Sequence, residues 1–209
     1  MAHVVVDTSD LFALQTLERR LFRLDAFVPS RAVFPDQVFR RRFDAYRFLP
    51  FNDWYAAALD HARLLRFLRT VGDDTFYASC PPHFMVRPVA CSTADSPGEF
   101  SRGFRHQLFG APDNHGNEIG LAVSGQTFLF SRSVHWAEVH DITHDVIIVG
   151  LSDPVRSAWE LAFQGDCYDV NGAINRLNQM HAGISVSDAV MQKLRRNYPA
   201  GRITPAGEA

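Results

Sequence analysis

Four consecutive β-branched apolar residues, Val146, Ile147, Ile148 and Val149, lie between Asp145 and Gly150. A half-exposed strand alternates apolar with polar residues, whereas an unbroken run is stable only where both faces of the strand are covered. The run therefore predicts an interior strand, with hydrogen-bonded neighbours on both edges and packed layers on both faces.

The flanking residues offer such neighbours. Val134 to Val139 and His144 to Leu151 read as a hairpin around His140, Asp141, Ile142 and Thr143, while Ile119 to Val123 pairs with Phe128 and Phe130 across a turn at Ser124 and Gly125. Earlier, from Phe76 on, Pro81, Pro82 and Pro88 forbid a helix and Phe84 to Ala90 stays extended, which predicts edge strands. The Ser, Gly, Pro, Asp and Asn content of residues 92–116 makes them a functional loop, or a loop with a short helix near Phe100 to Phe109.

Helical spacing occupies both ends. Leu14, Leu17, Leu21 and Leu24 form one stripe behind the capping candidates Asp7, Thr8 and Ser9. A second helix is expected from Pro35 to Pro50 with Phe39, Phe43 and Tyr46 on one face. A third follows Asn52 or Asp53, carries Trp54, Ala58, Leu65 and Leu68, and leaves at Gly72. Beyond the sheet, Asp153 and Pro154 open a helix closed by Gly165, the Asp153 carboxylate being expected to accept first-turn amides. Shorter helices are expected over Ala173 to His181 and Asp188 to Arg196. The expected fold is α+β: a central antiparallel sheet of about 4–6 strands, three N-terminal helices and two to three C-terminal helices. A single domain is expected over residues 1–198, helical over 1–72 and 153–197 and sheet over 76–151, with 199–209 a flexible tail.

Two covered faces need much apolar material, and 46% hydrophobic residues with 17 Phe supply it without metal or disulfide staples. The 21 basic and 23 acidic residues leave a net charge of -2, which argues against a general nucleic-acid binder or a membrane-surface protein. Lys193 is the only lysine, an arginine skew that points to a GC-rich bacterial genome. Cys80, Cys91 and Cys167 lack CxxC spacing, so reduced thiols in a cytoplasmic protein are expected. The valines at 4–6 precede Asp7 and are too short for a signal-peptide core, and no run approaches a membrane span.

Two polar groups merit weighing as sites. His135, Glu138, His140, Asp141, His144 and Asp145 mix imidazole with carboxylate, which suits zinc or iron, and His135, His140, Asp141 and His144 are the candidate ligands. On a strand, however, His135 and His140 point to opposite faces, and the spacing of His140 and His144 gathers them only on a helix. Turn and surface histidines, with no metal and no cofactor, are therefore expected. His106, Asp113, His115 and Glu118 surround a Pro-Asp-Asn-His-Gly turn and are the acid/base candidates of a small metal-assisted hydrolase. No Ser or Cys sits in a nucleophile elbow and no glycine-rich phosphate loop accompanies them, so the chain leans away from an enzyme.

Arg19, Arg20, Arg23, Arg31, Arg40, Arg41, Arg42 and Arg47 make the first third locally basic; a solvated face pairing with Glu18, Asp36 and Asp44 is expected. Ile174 to Arg196 has helix, glycine turn and helix, the basis for reading a DNA-associated regulator. Gln179 stands where a small residue should pack, which favours a packed helix pair instead.

The run from Gln126 to Leu151, with Trp136 on one strand and the Asp145-to-Gly150 strand following, resembles the hairpins of small bacterial immunity proteins of polymorphic-toxin systems. It spans about an eighth of the chain. The resemblance implies a cytoplasmic protein-binding module that occludes one protein partner, a toxin, and has no chemistry of its own.

Overall fold

A computed structural model of the chain describes residues 8–23, 37–50, 58–79, 89–102, 126–141, 146–180 and 187–199. Its strands are β1 (Ala45–Pro50), β2 (Thr75–Ser79), β3 (Val89–Ser92), β4 (Gln126–Ser131), β5 (Trp136–Asp141) and β6 (Val146–Leu151). They form one six-stranded antiparallel sheet in the order β1-β6-β5-β4-β2-β3. The helices α1 (Thr8–Leu21), α2 (Ala58–Val71), α3 (Asp153–Ala162), α4 (Val170–Met180) and α5 (Asp188–Asn197) complete an α+β architecture, with a shorter helical segment over 97–102.

The apolar run is the interior strand its composition requires. All six residues of β6 are buried, and β1 and β5 pair with it along its whole length. Its side chains divide between two cores. Val146 and Ile148 join Phe22, Phe39, Tyr46, Phe48, Phe128 and Tyr198 beneath α1, α4 and α5. Ile147, Val149 and Leu151 join Leu64, Phe67, Trp136, Trp159 and Phe163 beneath α2 and α3. Fully burying one such Ile or Val is worth roughly 1.5–3 kcal/mol, so both helical layers lean on this strand.

Residues 35–50 depart from the expected helix. Phe22 and Phe39 form an isolated bridge, and the chain then runs as β1, whose Tyr46 and Phe48 face one core while Leu49 faces the other. The period of two at 46–49 competes with the spacing of Phe39, Phe43 and Tyr46, and the unfilled edge of β6 decides for the strand. The outer edge of β1 is in turn partly covered, because Phe48 and Tyr168 exchange backbone hydrogen bonds at 2.8 and 2.9 Å. The N-terminal part thus has α1 and α2 among its described residues, where three helices were expected.

Other boundaries shift for local reasons. β4 is paired on one side by β2 and on the other by β5, so Phe128 and Phe130 lie opposite Ser79 and Tyr77 on one edge and Val139 and Ala137 on the other. The hairpin partner expected for them, residues 119–123, lies outside the described residues. Val134 falls in the turn before β5 with φ at 54°, a left-handed conformation that costs a β-branched residue. Gly72, at φ 75°, provides the expected exit from α2. The cap of α3 is Ser152, which makes no side-chain cap bond; the Asp153 amide instead donates to Asp44 Oδ2 at 2.9 Å. The expected Asp153 cap is thus replaced by a carboxylate from the residue before β1, and Asp153 itself pairs with Arg156 at 3.1 Å.

Gly150 shows how tightly the layers close. Phe43 lies over it, edge-on to Phe39 and Tyr46, and a Cβ at 150 would overlap the Phe43 ring. Gly150→Ala is expected to cost about 1–3 kcal/mol through forced displacement of that ring. Urea unfolding should show a lower midpoint with an unchanged slope, and an unshifted midpoint would refute the close approach.

Candidate functional site

The period of β5 places Glu138 and His140 on one face, two residues apart on a strand whose side chains alternate. Glu138 lies opposite Val149 and Leu129, and His140 opposite Ile147 and Thr127, so both polar groups project into the layer that α2 and α3 cover. Both are 0% exposed, and Glu138 Oε2 stands 2.8 Å from His140 Nε2. Whichever group holds the proton, it lies on the line between those two atoms. Glu138 Oε1 is buried without a hydrogen-bond partner. Burial pushes the Glu138 carboxyl above its ordinary 4.5, and the hydrogen bond and charge of His140 oppose that rise without cancelling it.

The expected ligand set does not gather. His135 is in the turn before β5, with its backbone carbonyl accepting from the Ser152 amide at 2.8 Å. Asp141 is buried at the far end of the strand, one residue out of phase with His140. His144, and likewise His106, Asp113, His115 and Glu118, lie outside the described residues. Among the described residues, no three His, Cys, Asp or Glu side chains come together as a metal would need. The expectation of surface histidines fails for His140, which is a core residue. Its partnership with Glu138 follows from the strand period, which puts residues two apart on one face.

Two further polar contacts tie the same layer. His61 on α2 places Nδ1 2.8 Å from Ser101 Oγ. Arg47 on β1 pairs with Glu160 of α3 and donates to the Tyr46 carbonyl at 2.8 Å. Cys167 lies near that ion pair, and burial pushes its thiol up to about 12 despite the opposing Arg47 charge. Such a thiol is a poor nucleophile at neutral pH.

The opposite kind of surface lies at the end of α1. Arg19, Arg20, Arg23, Arg40 and Arg42 are exposed, and two of the acidic groups expected to pair with them make hydrogen bonds to other residues. Asp44 holds the first amide of α3, and Glu18 bonds to the Ser79 hydroxyl, its carboxyl raised by burial. Asp36 is outside the described residues. The C-terminal helices pack as a pair: Arg195 Nε donates to Asn171 Oδ1 at 3.0 Å, and Leu194 and Tyr198 enter the core.

No described helix is long and apolar enough to cross a membrane. Comparison with protein-family models, with curated proteins and with solved structures gave no match to this chain.

Two outcomes follow for these buried groups. A carboxyl whose native pKa is raised binds its proton more tightly when folded, so its stabilisation is present below the unfolded pKa and lost as pH rises through the native one. Glu18, Asp60 and Glu138 are all raised. Urea stability measured across pH should therefore decline above the ordinary carboxylate range, and Glu138→Gln should flatten part of that decline. A parallel profile in the variant would refute the shift. Cys167 should resist iodoacetamide at pH 8 in the native protein and react on unfolding, as read by mass spectrometry of the peptide that carries it.

Proposed function

We propose that the chain is a bacterial cytoplasmic protein-binding module of the immunity kind, neutralising one toxin by direct binding. The observation that carries this reading is the division of its polar groups. Among the described residues, the close imidazole–carboxylate pair of Glu138 and His140 is 0% exposed between the sheet and a helical layer. An acid or base must come within hydrogen-bond reach of a substrate proton, and a pair sealed in a core does not. Exposed arginines, in contrast, gather around the end of α1, and arginine is the charged residue most enriched at protein interfaces. The run from Gln126 to Leu151 that carries the resemblance to immunity proteins forms the adjacent strands β4, β5 and β6 in the interior of the sheet, which leaves the surfaces around it for recognition.

Co-expression tests the reading. The chain is produced together with the toxic product of the gene adjacent to its own. Restored growth, with a stoichiometric complex on size-exclusion chromatography and light scattering, is the expected result. Persistent toxicity with two separately eluting proteins would overturn it.

A further inference from the structure

Backbone hydrogen bonds join the end of α1 to the segment that leads into β1. The Leu21 carbonyl accepts from the amides of Arg40 and Arg41 at 2.8 and 3.3 Å, and the Arg23 amide donates to the Val38 carbonyl at 2.9 Å. Residues 15 to 20 positions apart are thereby stitched side by side, which brings the segments that carry the exposed arginines Arg19, Arg20, Arg23, Arg40 and Arg42 next to each other. Arg23 and Arg42 both act electrostatically on the Tyr46 phenol, which places their charges around a common point. Arg41 is turned away, over the Phe43 ring at 5.4 Å and toward Ser152.

Gathering like charges costs repulsion, and Arg20, Arg23 and Arg42 form no ion pair or side-chain hydrogen bond with a described residue that would offset it. An external anion would. The rings beneath the arginines, Phe22, Phe39 and Phe43, are at most 3% exposed, so none of these three offers a face on which bases could stack; the exposed ring of α1, Phe12, lies two turns before Arg19. The net charge of -2 also opposes long-range attraction to a nucleic acid. Guanidinium forks match carboxylates, as they do phosphates, in pairs of parallel hydrogen bonds, so with nucleic acid disfavoured by the buried rings and net charge a carboxylate surface is the fitting anion.

We propose that the ridge of Arg19, Arg20, Arg23, Arg40 and Arg42 is the docking surface for an acidic face of a protein partner. The assignment rests on the protein-binding reading above and adds to it where the partner lands and what charge it presents. Opposed patches of this kind accelerate encounter and fix orientation, so the interaction is expected to weaken with salt.

The test compares the natural chain with Arg20→Glu/Arg23→Glu/Arg42→Glu and with a control, Arg66→Glu/Arg196→Glu, which reverses exposed arginines elsewhere. Far-UV circular dichroism and thermal melting check that both fold. Binding is measured to the toxin of the co-expression test and, independently, to fluorescent polyglutamate, with duplex DNA as competitor. The triple variant should lose about tenfold or more in affinity for both probes while the control changes little. An Arg→Gln version of the triple, which removes charge without repulsion, should lose less in the same direction. Toxin bound equally well by the triple variant would overturn the ridge and leave the protein-binding reading standing. Duplex DNA displacing polyglutamate and binding more tightly at equal salt would also overturn it, in favour of a nucleic-acid surface. Failure of co-expression together with ridge-dependent polyglutamate binding would count against the toxin and support the acidic-surface assignment.

Discussion

The interior position of β6 is the constraint on which the rest of the structure depends. A strand with Val146, Ile147, Ile148 and Val149 in succession has no side to give to water, so it needs helices above and below and strands left and right. Each need recruits a distant part of the chain. Residues 45–50 fill one edge and β5 the other; α2 and α3 cover one face, and α1, α4 and α5 the other. Ring contacts continue each layer outward, as where Phe67 meets Trp136 and Trp159 at 5.7 and 4.8 Å, both near-perpendicular.

Burial on both faces also determines what happens to polar groups on the central strands. Glu138 and His140 lie within the packed layer, where the hydrogen bond between them offsets part of the cost of burial while Glu138 Oε1 stays without a partner. Removing the imidazole would take from the buried Glu138 carboxyl its hydrogen bond along the strand. Arg47 and Glu160 do similar work between β1 and α3, at a position less deeply enclosed. These groups have the composition of a catalytic site and the environment of a structural one.

The surface tells a complementary story through charge. The acidic residues near the arginines of the first third serve inside the fold, Asp44 as a helix cap and Glu18 as a partner of Ser79, which leaves Arg20, Arg23 and Arg42 to the solvent. Recognition by charge requires such uncommitted groups held on a rigid backbone, and the stitching of residues 21–23 to 38–41 provides that hold.

Sequence alone determined the elements whose pattern is local and unambiguous. The β-branched run, its antiparallel pairing with the strand before it, the helix leaving at Gly72 and the helix opening at Asp153 and Pro154 are all written in spacing and in backbone-restricting residues, although the turn expected at 140–143 is displaced, since His140 and Asp141 are paired residues of β5. Tertiary structure decided everything that depends on a partner distant in sequence. Residues 45–50 became a strand because β6 had an edge to fill, and Asp44 took over the cap expected of Asp153 because β1 delivered it there. His140 paired with Glu138 in the core because helices closed over that face. Local propensities differ by fractions of a kcal/mol, whereas an unpaired strand edge or an unsatisfied buried charge costs several, so the long-range terms prevail wherever the two conflict.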